Sequence, residues 1–90
     1  MTDPDPRIEE LRAQIASNDR AIVAAVNERL RLVTELWRLK EEHGTERLDL
    51  GRERRLREHL AAANDGPLTA EGLDALVSEL LALTKRELGS

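Results

Sequence analysis

Apolar residues recur at Ile8, Leu11, Ile15, Ile22, Val26, Leu30, Val33 and Leu36, in steps of three, four and seven. That is the period of one face of an α-helix. Asp5 and Pro6 open the pattern as an N-cap followed by proline at the first helical position. Glu9 and Glu10 fall in the early turns, where negative charge suits the helix dipole. Nothing breaks the pattern before Gly44, so a first helix is predicted from about Pro6 to His43, with Gly44 as its C-cap. Met1 to Asp5 reads as a loose polar end, and Glu46 to Leu48 as a short linker. Asp49 then caps a second helix, from about Leu50 to Ala63, with Leu56 and Leu60 on its apolar side. Asn64-Asp65-Gly66-Pro67 is a turn. Thr69 caps a third helix, from about Ala70 to Leu88, in which Leu73, Leu76, Val77, Leu80, Leu81 and Leu83 are expected to be buried. Gly89-Ser90 is a short tail.

The pattern predicts an all-α chain of three helices forming one domain over residues 1–90. The first helix is the unusual element. At ~1.5 Å per residue it would be roughly 57 Å long. A compact domain of this size has a radius of gyration near ~12 Å. So short a chain cannot wrap such a helix. Either the helix bends back, or a second copy packs along it. Asn18 interrupts the apolar stripe, either to set the register of such a pairing or as a solvated position at its rim.

Composition sharpens this picture. With 90 residues, no cysteine and one aromatic, Trp37, the chain has little with which to build a core alone. Its apolar residues are Leu, Ala, Val and Ile, which suit helix packing, and a partner subunit would enlarge the core. The net charge of -4 argues against a nucleic-acid partner. No apolar run approaches the ~20 residues of a membrane span, and no signal-peptide pattern opens the chain. A cytoplasmic protein without membrane partners is the expectation. The two histidines, His43 and His59, lack the neighbours that a metal site needs, so no metal and no cofactor is expected. His43 reads as a helix-end residue and His59 as exposed. Trp37 reads as packing at the subunit interface.

Candidate chemistry lies between Arg29 and Glu53. Arg29 and Lys40 are eleven residues apart, about three turns, so they share a helix face to within ~20°. Their Cα atoms would be roughly 16 Å apart, and two long side chains leaning together could grip a small dianion. Arg12 is roughly 25 Å further back along the axis. An antiparallel copy of the first helix could bring it to the same ligand, so a three-cation site would be coupled to dimerisation. Asp49, Arg52 and Glu53 open the second helix, where free N–H groups and the helix dipole gather. Asp49 and Glu53 are one turn apart and can face one ligand hydroxyl. In a chain that is 36% charged, solvated side chains and surface pairs account for such residues equally well by spacing alone.

The ordered set Leu11-Arg12, Ile15, Asp19, then Glu28-Arg29, Lys40, and Asp49 with Arg52-Glu53, resembles the all-helical chorismate mutases. The resemblance extends from about Ile8 to Leu88 and includes the Gly66-Pro67 turn with its following amphipathic helix. It implies an intertwined homodimer of three-helix chains that converts chorismate to prephenate, the committed step toward phenylalanine and tyrosine. The reaction is a [3,3] rearrangement with no cofactor. It is accelerated by holding the diacid in its reactive shape and by stabilising charge across the breaking C–O bond.

Carried over by position, Arg29 binds one carboxylate and Arg12 reaches the other from the second chain. Lys40 donates to the ether oxygen and a carboxylate. Glu53 and the backbone at Asp49 hold the ring hydroxyl. Arg52 contacts substrate or orients Glu53. Thr84 stands where the family usually carries a small hydroxyl residue. One turn later the family usually carries Gln or Glu as a second ether-oxygen ligand; this sequence has Leu88 there, with Glu87 off that face. A subset of the family with tails loosely like Arg86-Glu87-Leu88-Gly89 is activated by a partner enzyme of the shikimate pathway. Two other readings stay open at this level: an isochorismate pyruvate-lyase of the same fold, and a non-catalytic helical dimerisation or regulatory module.

Overall fold

A computed structural model describes residues 5–47 and 49–89, with Leu50 described by its backbone alone. The expectations for residues 1–4, for Leu48 and for Ser90 lie outside the described residues. Three helices follow one another: α1 (Pro6–Glu42), α2 (Leu50–Ala63) and α3 (Ala70–Leu88). The described residues contain no strand. The first helix ends one residue before the predicted His43, which belongs to the turn instead.

Local chemistry explains each boundary. Asp5 caps α1 by accepting from the Arg7 backbone N–H at 3.0 Å. The Arg7 guanidinium also forks onto its carboxylate, and these two contacts hold the Asp5 carboxyl below its ordinary range. A lowered folded pKa makes this contribution present above the unfolded pKa and lost as pH falls through the folded one. Gly44, at φ 67°, ends α1. The Thr45 N–H donates to the Lys40 carbonyl at 2.8 Å and the Gly44 N–H to the Glu41 carbonyl at 3.2 Å, the paired bonds of a Schellman turn. Asp49 caps α2 and Thr69 caps α3, each accepting through its side chain from a backbone N–H three residues on. Gly89 closes α3 at φ 66°, its N–H on the Lys85 carbonyl.

Residues 1–33 and 34–90 form two separate compact units. In the first, the apolar stripe of α1 is exposed at Ile8, Leu11, Ile15 and Ile22 and half-buried at Val26, Leu30 and Val33. In the second, α2 packs against α3. Val77, at 2% exposure, is the centre of that contact, with Leu56, Leu60, Leu73, Leu80, Leu81 and Leu83 half-buried around it. Leu76 was expected inside but is 49% exposed. It sits about 100° round the helix from Val77, at the margin of the stripe.

A polar latch ties the same two helices. Arg57 of α2 pairs with the Asp74 carboxylate of α3 and donates to the Ser78 hydroxyl at 3.1 Å. Asn64 organises the turn between them, donating from Nδ2 to the Leu68 carbonyl at 2.9 Å and accepting the Gly66 N–H at 3.0 Å.

Nothing lies within 4 Å of a Cβ added at Gly44, so a substitution there tests backbone conformation alone. Gly44→Ala is expected to lower unfolding free energy by about 1 kcal/mol in urea titration, and Gly44→Asn by less.

Candidate active site

Three short pieces of residues 34–90 supply the candidate groups of that unit: the last turn of α1, the first turns of α2, and the far end of α3.

At the end of α1, Lys40 is half-buried and its Nζ donates to the Arg47 carbonyl at 3.2 Å. The Schellman turn makes this contact reachable, because it reverses the chain within the few residues after Glu42. Arg47 then lies back over the helix end. Its guanidinium sits 4.5 Å from the centroid of the Trp37 ring and 3.0 Å from the Glu41 carboxylate. Trp37 is half-buried, and in this chain it is the seat of that cation. A lysine ammonium has three donors. Among the described residues one is used, on the Arg47 carbonyl, so two remain for an anionic or ether-oxygen ligand.

At the start of α2, the Asp49 side chain is committed. It accepts from the Arg52 N–H at 3.1 Å through Oδ1, and the Arg55 guanidinium lies 3.6 Å from Oδ2. Gly51 gives Arg55 the room to fold back, since a Cβ there would meet Arg55 Nη1 at 3.1 Å. The Arg52 side chain is exposed. Glu53 is half-buried, and among the described residues its carboxylate enters no hydrogen bond or ion pair. Spacing alone makes Asp49 and Glu53 equivalent acceptors. The structure separates them into a capping carboxylate and an uncommitted one.

On α3, Thr84 is 6% exposed and its hydroxyl donates to the Leu80 carbonyl at 2.8 Å. Its donor is therefore used within the helix. Leu88, one turn on, is half-buried on the same stripe, whereas Glu87 is exposed. No register shift brings Glu87 round, so the position one turn after Thr84 carries no side-chain donor.

The remaining two candidates belong to residues 1–33. Arg12 is exposed and pairs with Glu9 at 2.7 Å, and Arg29 is half-buried. The Arg12–Glu9 pair is a surface i,i+3 contact worth little, so it does not tie Arg12 down. His43 and His59 are both exposed. Among the described residues, no three His, Cys, Asp or Glu side chains cluster as metal ligands, and no helix is long and apolar enough to cross a membrane.

Sequence reading missed Arg47, Arg55 and Arg57. Arg57 had a signal: it falls where the stripe of Leu60 and Ala61 would otherwise continue, and Asp74 and Ser78 offer acceptors one turn apart. Arg47 had none, because a linker residue returning onto a helix end obeys no period.

The chain matches the profile of the family described as chorismate mutase type II over residues 11–87. Two solved structures resemble it, both chorismate mutase from Thermus thermophilus. Form I has a TM-score of 0.82 at 35% identity, covering 87% of this chain and 98% of that one. Form II has a TM-score of 0.81 at 35% identity, covering 87% and 89%. A comparison with curated proteins finds no match.

The two carboxylates at the start of α2 are expected to part in experiment. Asp49→Ala should cost about 1 kcal/mol of stability in urea unfolding through loss of the cap, and Asp49→Asn much less. Glu53→Gln should stay within about 0.5 kcal/mol, because no side-chain partner is lost.

Proposed function

This chain belongs to the chorismate mutase type II family and is an isomerase converting chorismate to prephenate, and we propose that it works as an intertwined homodimer whose active sites draw on both copies. In the reaction one ether C–O bond breaks as one C–C bond forms within the same molecule. No proton leaves and no external group adds, so the protein's part is to select a conformation and to stabilise separating charge.

The observation that carries the catalytic reading is Lys40, a half-buried ammonium steered by the Arg47 carbonyl with two donors left for a ligand. Aimed at the ether oxygen and a carboxylate, it meets charge where charge develops. Arg29 takes one substrate carboxylate, and Arg12 of the partner subunit takes the other. Bidentate guanidinium–carboxylate geometry is the reason for arginine at these two positions. Glu53 accepts from the ring hydroxyl and the backbone at Asp49 helps to hold it. Arg52, exposed here, contacts the substrate or orients Glu53. Thr84 places a small polar side chain beside the bound diacid.

The dimer is supported by α1. Leu11, Ile15 and Ile22 are 57%, 59% and 53% exposed, and no residue of α1 is buried. A stripe of that length left in water is unfavourable, and a second copy of the same helix covers it with matching period. The same pairing brings Arg12 to a site its own chain cannot reach. Leu88 leaves the ether oxygen to Lys40 alone. That supports modest turnover by the isolated dimer, and with it a role for an activating shikimate-pathway enzyme acting at this end of α3.

Incubation with chorismate should yield prephenate, while isochorismate should yield no pyruvate or salicylate. Lys40→Ala should lower kcat/KM by at least about a hundredfold with helix content and dimer retained; undiminished turnover would remove Lys40 from its role. Leu88→Gln should raise kcat by up to about tenfold through one added hydrogen bond.

Arg12→Ala and Arg29→Ala should each be inactive alone. After subunit exchange, an equal mixture should recover about a quarter of wild-type activity, because each mixed dimer keeps one intact site. Proven exchange without recovery refutes sites shared across the interface.

A further inference from the structure

We propose that Arg47 is a positioning residue for the rearrangement: with Trp37 and Glu41 it forms a clasp that holds its own main-chain carbonyl against the Lys40 ammonium. The proposal rests on Lys40 acting on the substrate, as read above, and goes one step beyond it.

Four observations converge on one linker residue. Its guanidinium lies 4.5 Å from the Trp37 ring centroid. The same group sits 3.0 Å from the Glu41 carboxylate. Its carbonyl accepts from Lys40 Nζ at 3.2 Å. The three residues it touches, at 37, 40 and 41, are neighbours on the last turn of α1. Among the described residues after Thr45 and before the Asp49 cap, no other side chain ties the linker to a helix.

Each contact alone is weak. The Glu41 and Arg47 side chains are 66% and 40% exposed, and such an ion pair contributes little by itself. A cation over an indole face is stronger, and a planar guanidinium stacks there better than an ammonium. The contacts gain significance through what they fix. Lysine has four rotatable side-chain bonds, and an unrestrained ammonium samples many positions. An acceptor fixed at 3.2 Å removes most of them before substrate arrives. Preorganised charge is what this reaction requires, because no covalent or proton-transfer step compensates for a misplaced donor.

The arrangement separates positioning from direct contact. Arg47→Ala deletes the clasp but leaves the backbone carbonyl, so the Lys40 acceptor persists chemically and loses only its fixed place. The loss should fall on kcat, where the ether-oxygen contact is felt, and spare KM, which the arginine–carboxylate contacts set. A surface cation of no consequence would change neither. A residue binding the substrate directly would raise KM.

The test is steady-state kinetics on full-length protein with chorismate, beside fluorescence. Trp37 is the only tryptophan, so acrylamide quenching reads the clasp directly. Arg47→Ala should lower kcat by about tenfold with KM within about twofold, quench more readily, and keep wild-type helix content. Arg47→Lys, which keeps a cation near ring and carboxylate, should remain within about threefold of wild type. Glu41→Gln leaves the indole and the fold untouched and should give a smaller fall in kcat in the same direction. Combining it with Arg47→Ala should add nothing, since both act through one clasp. Wild-type kcat in Arg47→Ala, or a loss confined to KM, overturns the proposal while Lys40→Ala remains inactive. Full activity in Lys40→Ala overturns the catalytic reading and the proposal with it.

Discussion

The end of α1 is the constraint on which the second part of the chain depends. Gly44 adopts a left-handed backbone that a side chain resists, and the Thr45 N–H reaches back to the Lys40 carbonyl. The residue whose carbonyl anchors this turn is therefore the residue whose ammonium is the leading catalytic candidate. Termination of the helix and orientation of its last cation are one event. Arg47 returns over the same turn, and two residues later Asp49 starts α2 with its own side chain as cap. From the last turn of a long helix to the first turn of the next, each piece of backbone is set by a bond to the one before it.

The α2–α3 pair serves as support. Val77 and the half-buried leucines around it give the pair an apolar contact, and Arg57 adds a polar latch to Asp74 and Ser78. Burial of that kind is non-directional, whereas hydrogen bonds from one guanidinium to two acceptors fix a relative rotation of the helices. Rotation matters because it decides which face of α3 is turned inward. Thr84 and Leu88 are on that face and Glu87 is not. A leucine where the family usually has a donor is thus a property of the folded surface as well as of the alignment.

Chorismate rearrangement suits so small a helical chain. The reaction asks for no nucleophile, no proton carrier and no metal, only cations and acceptors placed around a flexible diacid. Long helices provide such placement readily, since residues three, four, seven and eleven apart share a face. What a single short chain lacks is enclosure. The exposed leucine and isoleucine stripe of α1 and the need for a third cation point to the same remedy, a second copy, and a protein that shares its sites cannot lose its dimer without losing its chemistry.

Helix number, boundaries and caps were legible in the residues because they are local. Period, proline, glycine and capping side chains act within a few positions of themselves, and the predicted ends differ from the observed ones by one residue at His43. Arg12, Arg29, Lys40 and Glu53 could be named for the same reason, as ordered residue types along helices. The division of labour between Asp49 and Glu53, the exposure of Leu76, the Arg57 latch and the return of Arg47 over Trp37 were decided only in three dimensions. Each depends on which of several partners wins a side chain, and that competition is settled by distances between residues whose separation in the chain follows no period.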